Sequence, residues 1–228
     1  MTSHSSYNVY AFDAYGTLFD VHAAAAELRE RIGPQAQRLS EIWRTKQLEY
    51  TWVRTLSGAY LDFMTVTEHA LDFAASQCGG ISPDTRADLL ESYRSLAAYP
   101  DVKPVLQALR DGGARTVILS NGTPSMLEDA CHAAGIEHLV DRVISVDSIR
   151  RYKTLAGVYA LVGEWTGAAA SDISFQSSNR WDIAGAASFG FRTVWVNRTG
   201  QPDEYHDLAA DHIISTLSQL PSLTKLPA

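Results

Sequence analysis

The sequence predicts an α/β protein, in which a doubly wound parallel sheet forms the core and a helical cap is inserted into it. A β-branched and aromatic run near the N-terminus is cut off by a carboxylate and a glycine. A long stretch with helical periodicity follows, and strand-like and helix-like segments then alternate to the end. We therefore expect a core domain of residues 1–19 and 101–228 and a cap subdomain of residues 20–100.

The segment at residues 7–21 carries the first strand and the first candidate for chemistry. Its apolar run is typical of a buried strand and is followed by Asp13 and then Gly16. In an open α/β sheet, ligands bind beyond the carboxyl ends of the strands, where Asp13 falls. Gly16 permits a sharp turn, and Thr17 brings a hydroxyl back toward the carboxylate. The structural alternative is that Asp13 only caps a turn.

The inserted stretch is predicted to form four helices. They span residues 23–31, 39–56, 59–77 and 83–97. Asp20 is the predicted N-cap of the first helix, and Gly33 ends it. The sequence of this stretch therefore predicts a helical layer between the first strand and the remainder of the core.

The second of these helices carries a candidate pocket face. Arg44, Leu48 and Thr51 recur at helical spacing on one side. A solvated arginine is the common alternative, since most arginines are exposed. Trp52 and Tyr60 either pack between helices or support a contact between two copies of the chain.

From residue 101 onward, helices and strands alternate. Helices are predicted at residues 102–110 and 157–165 and from residues 124 and 180, and strands at residues 116–119, 143–146, 173–176, 193–196 and 212–214. Thr123 and Pro124 form a helix-start signal, with Pro at the first helical position. Alternation of this kind predicts a parallel sheet whose polar strand ends meet at one edge.

The composition argues against several classes of function. The chain has 228 residues, is 46% hydrophobic and carries a net charge of −7, which argues against a nucleic-acid partner. No long apolar run or signal peptide is recognisable, so we expect a soluble, cytoplasmic protein with no membrane partner. Cys78 and Cys131 lack neighbours at metal-ligand spacing, so we expect both to be reduced and no metal site.

Four polar clusters fall at or just after predicted strand ends. They occupy residues 13–17, 120–122, 152–153 and 177–182. Each has a structural alternative: a turn, a solvated lysine, or a capping pair made by Asn179 and Asp182. Their joint occurrence along one parallel sheet favours a single site.

These clusters resemble the motifs of a known family. Asp-x-x-Gly-Thr-Leu at residues 13–18 resembles the nucleophile motif of the haloacid dehalogenase superfamily. The L-2-haloacid dehalogenases (type II) have motifs similar to Arg44 with residues 47–50, residues 120–122, Lys153, and Ser-Ser-Asn-x-Trp-Asp at residues 177–182. The resemblance covers residues 7–205 and implies a Rossmann-like core with a cap. The chain departs from the family pattern at Thr45, at residues 154–156 and at Gln176.

The resemblance implies hydrolysis of a small-molecule 2-haloacid without a cofactor. Asp13 would attack the α carbon of an L-2-haloalkanoate, expel halide with inversion and form an ester that water hydrolyses. Lys153 would hold Asp13 ionised and aligned, because a nearby cation stabilises a carboxylate. Thr17 and Ser177 would orient Asp13 by hydrogen bonds.

The resemblance also assigns the remaining site residues. Asp182 with Asn179 would position or activate water, and Tyr159 would support Lys153. The halide would be bound by Arg44, Asn121 and Trp181, with Arg44 the principal residue because its charge is permanent. The substrate carboxylate would be bound by Ser120 and the backbone N–H groups near Ala14 and Tyr15. The apolar wall would be formed by Tyr15, Leu48, Phe63 and Trp181.

Two other functions stay open from sequence. A magnesium-dependent phosphohydrolase or phosphonate hydrolase shares this scaffold, but it needs a second Asp two residues after the nucleophile, where this chain has Tyr15. A catalytically idle binding module is the other alternative. Independently of the function, a homodimer formed through the helical cap is expected from Trp52 and Tyr60.

Overall fold

A six-stranded, wholly parallel sheet forms the centre of the molecule. The structure is a computed structural model that describes residues 8–223. The strands are β1 (Val9–Phe12), β2 (Arg115–Ser120), β3 (Arg142–Ser145), β4 (Ile173–Ser177), β5 (Arg192–Val196) and β6 (His212–Ile214). Their spatial order is β3-β2-β1-β4-β5-β6. The predicted doubly wound α/β fold is therefore confirmed.

Strand β1 lies at the point where the strand order reverses. Phe12 pairs with Ile118 of β2 on one side and with Gln176 of β4 on the other. All four residues of β1 are buried, because helices cover both faces of a parallel sheet. The crevice beyond the carboxyl end of β1 is therefore the place where this fold binds ligands.

Ten α-helices are present in residues 8–223. They are α1 (Ala23–Glu27), α2 (Arg29–Ile32), α3 (Ala36–Ser57), α4 (Phe63–Gln77), α5 (Pro83–Arg94), α6 (Val102–Asp111), α7 (Pro124–Ala134), α8 (Ala156–Thr166), α9 (Arg180–Phe189) and α10 (Leu220–Leu223). Helices α1 to α5 form the insertion between β1 and α6. Every predicted helix has a counterpart, with differences at the ends.

Capping side chains determine several of these ends. Asp62 accepts a hydrogen bond from the Thr65 N–H, so α4 begins at Phe63 rather than at residue 59. Thr123 caps α7 in the same way, as predicted. Each cap satisfies an N–H group that the first helical turn leaves unpaired.

The first predicted helix is wrong in two respects. It is split at Leu28 into α1 and α2, because the backbone of Leu28 leaves the helical conformation. The N-cap of α1 is His22 and not Asp20, whose carboxylate instead accepts a hydrogen bond from the His22 N–H. The last predicted helix of the insertion also ends earlier, at Arg94.

The two connections between the insertion and the sheet run side by side. The Asp20 N–H donates to the Ala97 carbonyl, and the Tyr99 N–H donates to the Leu18 carbonyl. Arg198 clamps this crossing: its guanidinium lies 4.0 Å from the Tyr99 ring centroid and donates to both Asp101 oxygens. Burial alone would raise the pKa of Asp101, but the hydrogen bonds from Arg198 and its neighbours outweigh burial and lower it.

An aromatic cluster joins the insertion to the loop after β1. Tyr15 stacks on Tyr93 of α5 at 5.5 Å between ring centroids, and it lies 5.6 Å from Phe63 of α4. Trp43 of α3 packs against Tyr93 at 5.1 Å. These contacts hold α3, α4 and α5 over the carboxyl end of β1.

Three further sequence-based expectations concern a signal peptide, a membrane span and the two cysteines. Residues 1–6, in which no signal peptide is recognisable, lie outside the described residues, as does Tyr7. Within residues 8–223, no helix combines the length and apolar character needed to cross a membrane. Cys78 and Cys131 are both free thiols.

Candidate active site

Asp13 lies directly after the central strand, at the base of the crevice. Its side chain is almost entirely buried. Gly16 adopts φ +93°, a conformation that favours glycine, and the turn brings the Thr17 hydroxyl to 3.0 Å from Asp13 Oδ2. Ser177, at the end of β4, donates to the same oxygen at 3.3 Å. The turn at Gly16 places the Thr17 hydroxyl, and the parallel pairing of β1 with β4 places the Ser177 hydroxyl, on the same carboxylate oxygen.

Lys153 forms a buried bridge between two carboxylates. Its Nζ lies 2.9 Å from Asp13 Oδ1 and 2.8 Å from Asp182 Oδ2, and only 1% of the residue is exposed. Burial alone would lower the pKa of Lys153, but Asp13 and Asp182 outweigh burial and raise it. Lys153 is therefore a permanent cation in the site.

Asp182 is the second buried acid, and Tyr159 donates to it. The Tyr159 hydroxyl lies 2.8 Å from Asp182 Oδ1. Burial raises the pKa of Asp182 to about 6, while Lys153 and Tyr159 act in the opposite direction. Tyr159, which was expected to support Lys153, contacts it through Asp182: the hydroxyl donates to that carboxylate, and the carboxylate pairs with the ammonium.

The side chain of Asn179 is hydrogen-bonded to Asp13, the candidate nucleophile. Its Nδ2 donates to Asp13 Oδ2 at 2.7 Å and to the Tyr15 carbonyl at 3.2 Å. It makes no side-chain cap on α9, so the capping-pair alternative is wrong for this residue. Asp13 Oδ2 thus accepts from Thr17, Ser177 and Asn179, whereas among residues 8–223 Oδ1 accepts from Lys153 alone, which leaves Oδ1 the freer oxygen.

Arg44 of α3 reaches into the site rather than into solvent. Its Nη2 donates to the Tyr15 carbonyl at 3.1 Å and to Asn179 Oδ1 at 3.3 Å. The long helix α3 thereby places a permanently charged guanidinium at the carboxyl ends of the strands. Asn179 connects this cation to Asp13.

Gln47, Thr67 and Tyr93 form a buried network behind Arg44 that sequence reasoning missed. Gln47 Oε1 accepts from Arg44 Nη1 at 2.8 Å and from the Tyr93 hydroxyl at 3.1 Å. Gln47 Nε2 donates to Thr67 Oγ1 at 2.7 Å, which fixes the orientation of the amide. The sequence signal that could have revealed this network is a glutamine one helical turn after an arginine, on a buried face of the helix.

The loop after β2 faces the same crevice. Asn121 Oδ1 accepts from the Lys153 N–H at 3.1 Å, so its amide nitrogen is the group left to donate. Ser120 is fully buried, and its hydroxyl oxygen accepts from the Gly122 N–H. A Cβ on Gly122 would lie 2.8 Å from Tyr15 Cε2, so this position needs glycine for the ring to pack.

The apolar side of the crevice is aromatic. Phe63 is buried beside Tyr15, and Leu48 and Trp181 are partly exposed. The Trp181 ring meets the edge of Trp52 from α3, with the centroids 5.6 Å apart. Tyr60, by contrast, donates to Asp147 and packs on Tyr152 within the chain, so its hydroxyl is engaged internally.

Gly185 on α9 is a second feature that sequence reasoning missed. A Cβ there would lie 2.5 Å from the Tyr159 hydroxyl and 2.8 Å from Thr154 Cβ. Glycine is therefore required for Tyr159 to reach Asp182. No sequence signal distinguished it, because a glycine inside a helix is ordinarily only a weak helix former.

The donor set around Asp13 contains an ammonium where a metal site would need further oxygen ligands. In the part of the chain that the structure describes, no three His, Cys, Asp or Glu side chains are grouped to hold a metal ion. Tyr15 occupies the second position after the nucleophile, and burial raises its pKa well above the ordinary value. The phenol therefore keeps its proton at neutral pH.

Taken with the fold, these contacts describe a carboxylate that is buried, paired and free to attack at one oxygen. The class of protein with this fold and site is the haloacid dehalogenase-like hydrolase, whose family model matches residues 7–190. Within that class, the chain belongs to the family of (S)-2-haloacid dehalogenases, as its relatives show.

Three comparisons illustrate this similarity. The chain is 45% identical over 213 residues to (S)-2-haloacid dehalogenase 1 of Pseudomonas sp. (strain CBS-3), which covers 93% of this chain and 94% of that protein. It matches the crystal structure of a dehalogenase with an intermediate complex at a TM-score of 0.95 and 37% identity, over 98% and 99% of the two chains. It also matches the L-2-haloacid dehalogenase from Xanthobacter autotrophicus with chloropropionic acid covalently bound, at a TM-score of 0.90 and 34% identity, over 97% and 100%.

Proposed function

We propose that this chain hydrolyses short-chain L-2-haloalkanoates to D-2-hydroxyalkanoates and halide, with Asp13 as the nucleophile. The observation that carries the proposal is the pairing of Asp13 Oδ1 with the Lys153 ammonium, beneath the guanidinium of Arg44. A carboxylate is a weak nucleophile, so holding it in line with the α carbon supplies much of the rate. A relative that carries covalently bound chloropropionic acid supports an ester intermediate.

In the first step, Asp13 Oδ1 attacks the α carbon from the side opposite the halogen. A carbon–oxygen bond forms, the carbon–halogen bond breaks and the halide leaves with the electron pair. The configuration at carbon inverts, and Asp13 becomes an ester. Lys153 stays protonated throughout and keeps Oδ1 aligned.

The departing halide needs positive charge and N–H donors. Arg44 is the principal group, because its guanidinium is fixed by Gln47, Tyr15 and Asn179 before substrate arrives. The free amide N–H₂ of Asn121 and the edge of Trp181 complete the halide site. Such preorganised donors stabilise charge without reorganising during the reaction.

The substrate carboxylate occupies the other end of the crevice. The Ser120 hydroxyl and the backbone N–H groups of Ala14 and Tyr15 bind it, while Tyr15, Leu48, Phe63 and Trp181 form the apolar wall. Because Arg44 of α3 is the principal halide group, whereas the carboxylate groups lie at the carboxyl ends of β1 and β2, this arrangement separates the two negative charges. The α carbon is thereby held between them, over Asp13.

In the second step, water attacks the carbonyl carbon of the Asp13 ester. Asp182 accepts a proton from the water and returns it to the alkoxide of the product as the ester C–O bond breaks, and the regenerated Asp13 carboxyl group loses the remaining proton to solvent. One water oxygen remains in the regenerated Asp13 carboxylate. Since the Asn179 amide is engaged with Asp13, it orients the ester, and Asp182 is the base.

The phosphohydrolase alternative has no comparable support. That chemistry needs an acid two residues after the nucleophile, and Tyr15 there is buried, stacked and held protonated. We therefore expect halide release to be unchanged by chelators, and no phosphate release from an aryl phosphate with magnesium present.

Three further features belong to the same proposal. Residues 20–100 act as a cap subdomain over a core formed by the rest of the chain, held at the Arg198 clamp. Two copies form a homodimer through the helical cap, where Trp52, Val53 and Phe73 are exposed. Tyr60, the other residue expected at this contact, is engaged within the chain. The protein works in the cytoplasm, in keeping with two unpaired cysteines.

Single turnover in ¹⁸O-water tests the mechanism directly. With enzyme in excess over L-2-chloropropionate, we expect label in the Asp13 carboxylate and an unlabelled first product. Label in the first product with Asp13 unlabelled would refute the ester. Asp13→Asn keeps the size of the side chain and is expected to abolish halide release.

A further inference from the structure

Tyr152, the residue before Lys153, is held in place by the helical insertion. Tyr152 is fully buried, its backbone N–H donates to Thr55 Oγ1 at 3.0 Å, and its hydroxyl donates to the Leu61 carbonyl at 2.6 Å. Thr55 lies near the end of α3, and Leu61 lies in the connection between α3 and α4. The insertion therefore fixes the chain next to Lys153 at two points.

Aromatic packing and a further hydrogen bond support the same junction. The Tyr152 ring lies 5.2 Å from the Tyr60 ring and 6.2 Å from the Phe63 ring, measured between centroids. Tyr60 donates at 2.6 Å to Asp147, which precedes Tyr152 in the connection from β3 to α8. Burial raises the pKa of the Tyr152 hydroxyl, so the hydroxyl keeps its proton and stays a donor to the insertion.

The position of the Lys153 ammonium depends on the backbone that carries it. A lysine side chain is a flexible stem, so both of its ends must be held if Nζ is to stay at one point. At the outer end Nζ pairs with Asp13 and Asp182, and at the inner end the backbone N–H donates to Asn121. A shift of Tyr152 would move that inner end, because the two residues share a planar peptide bond. The distance from Nζ to Asp13 is therefore linked to the insertion.

Helix α3 also carries the other cation of the site. Arg44 and Thr55 lie about three helical turns apart, so both side chains project from one face of the helix. Arg44 donates to the Tyr15 carbonyl, and Thr55 accepts from the Tyr152 N–H. One helix thus contacts the core beside the halide group and beside the lysine. Because a helix is stiff over this length of about 16 Å, α3 relates the positions of the two cations.

We propose that Thr55 and Tyr152 are positioning residues, through which the insertion holds the Lys153 ammonium at the distance from Asp13 that attack requires. This inference rests on the proposed function, in which Lys153 keeps Asp13 aligned. The competing explanation is that both residues only fasten the insertion to the core. That explanation predicts a loss of stability and no change at Lys153.

Kinetics of variants provide the first test. Thr55→Val keeps the shape of the side chain and leaves the Tyr152 N–H without its acceptor. We expect kcat for L-2-bromopropionate to fall about ten- to a hundredfold, since small displacements of a reacting group have effects of that size. KM should stay within about twofold, because Lys153 holds the nucleophile and not the substrate. Thr55→Ser retains a hydroxyl and should restore most of the rate, and Tyr152→Phe, which removes the donor to Leu61, should lower kcat as Thr55→Val does.

The ionisation of Lys153 provides a second readout, which needs no substrate. Within residues 8–223, the groups that face Nζ are the carboxylates of Asp13 and Asp182, the second backed by Tyr159, and the ring of Phe175. The two carboxylates raise the pKa of Lys153 against burial, so an ammonium that moves away from them loses its proton at lower pH. ¹³C NMR of the lysine Cε follows this titration, with Lys153→Arg to identify the signal. We expect a lower Lys153 pKa in the valine variant than in the wild type, and an alkaline loss of kcat that begins at correspondingly lower pH.

Thr166→Val is the matched control. Like Thr55, Thr166 lies in the last turn of a helix, and its Oγ1 accepts from the Ala168 N–H at 3.2 Å. It lies at the end of α8 that is distant from Lys153. This variant should lower thermal stability about as much as Thr55→Val does, and it should leave kcat, KM and the titration of Lys153 unchanged.

Two results would overturn the inference. One is a Thr55→Val variant that loses stability but keeps the wild-type kcat and Lys153 pKa, as the control does. The other is a loss of kcat without a change in that pKa, which would show that Thr55 does not act through Lys153. Tyr152→Phe provides the same comparison if Thr55→Val does not fold. If the wild type releases no bromide, the proposed function fails instead, and the NMR titration alone decides whether Thr55 positions Lys153.

Discussion

The side-chain oxygen of Gln47 accepts a 2.8 Å hydrogen bond from the guanidinium of Arg44, one helical turn earlier in α3. Gln47 is 1% exposed and is itself held by Thr67 and Tyr93. The direction of Arg44 is therefore determined by a buried amide. Since a halide is bound by directed N–H groups, the amide acts on the reaction through the arginine.

Gln47→Leu should lower kcat/KM by roughly ten- to a hundredfold, the cost of losing a hydrogen bond to a charged group. A positioning role has a specific signature. The loss should be greater for chloride than for bromide as leaving group, because chloride departs with more charge to stabilise. Gln37→Leu, which removes an exposed hydrogen bond to Glu41 on the same helix, is the control and should have no effect. An equal loss for both halides would indicate a purely structural role.

The pKa of Asp182 predicts how activity falls on the acid side of the pH profile. Burial raises its pKa to about 6, so turnover limited by ester hydrolysis should fall as the pH drops through that value. Tyr159→Phe removes a donor to the ionised form and should therefore move the limb to higher pH. A profile of kcat against pH measures both. A limb that stays in place in Tyr159→Phe would contradict the assignment of Asp182 as the base.

The raised pKa of Asp182 also predicts how the free energy of unfolding depends on pH. A carboxyl whose pKa is higher in the folded state than in the unfolded chain favours folding most at low pH. Its contribution is present below the ordinary pKa of an aspartate and is lost as the pH rises through about 6. Asp182→Asn should therefore flatten the dependence of unfolding free energy on pH in that window. Urea titrations at several pH values provide the measurement.

Gly185→Ala should lower both stability and activity. The added methyl group would meet the Tyr159 hydroxyl at 2.5 Å, and overpacking of this kind costs about 1–3 kcal/mol. Displacing Tyr159 also removes the donor to Asp182. Gly157→Ala in α8 is the matched control, because nothing lies within 4 Å of its added Cβ and alanine is the better helix former. Equal thermal stability of the two variants would refute the packing argument.

Arg198 should contribute more to stability than any exposed ion pair. Its guanidinium pairs with Asp101, and both side chains are largely buried at the base of the insertion. Arg198→Leu leaves Asp101 buried without its partner, which costs about 3 kcal/mol or more in the free energy of unfolding. Arg86→Leu breaks the exposed pair with Asp72 and should cost less than about 1 kcal/mol. Denaturant unfolding of both variants compares the two.

Local patterns predicted much of the fold because they depend on neighbours in the chain. The strand before Asp13 and the cap made by Thr123 and Pro124 agree with the structure. The single helix predicted at residues 23–31 is two helices in the structure, because apolar periodicity does not reveal the break at Leu28. The start of α4 likewise depends on one side chain. Asp62 caps the helix, so α4 begins at Phe63 and not at residue 59, where the apolar pattern predicted it.

The candidate site was predicted in its residue types and in the pairing of Asp13 with Thr17, Ser177 and Lys153, but its other pairings were not predicted. Tyr159, expected to support Lys153, reaches it through Asp182, and Asn179 donates a hydrogen bond to Asp13 that was not predicted. Gln47 was noticed only as part of a motif. Each pairing depends on side chains from different elements, whose distances follow from packing rather than from spacing along the chain.

By itself, the sequence determined that this chain has a parallel sheet with inserted helices, and that a carboxylate follows the first strand, since periodicity and strand-end polarity are local properties. The resemblance to a known family named Thr17, Ser177 and Lys153 as partners of that carboxylate, and only the tertiary structure decided that Asn179 joins them. Lys153 is 140 residues from Asp13, and the two are joined because the sheet brings their loops to one edge. Burial there raises the pKa of Asp182, and the two carboxylates keep Lys153 charged against burial. No short stretch of sequence encodes either effect.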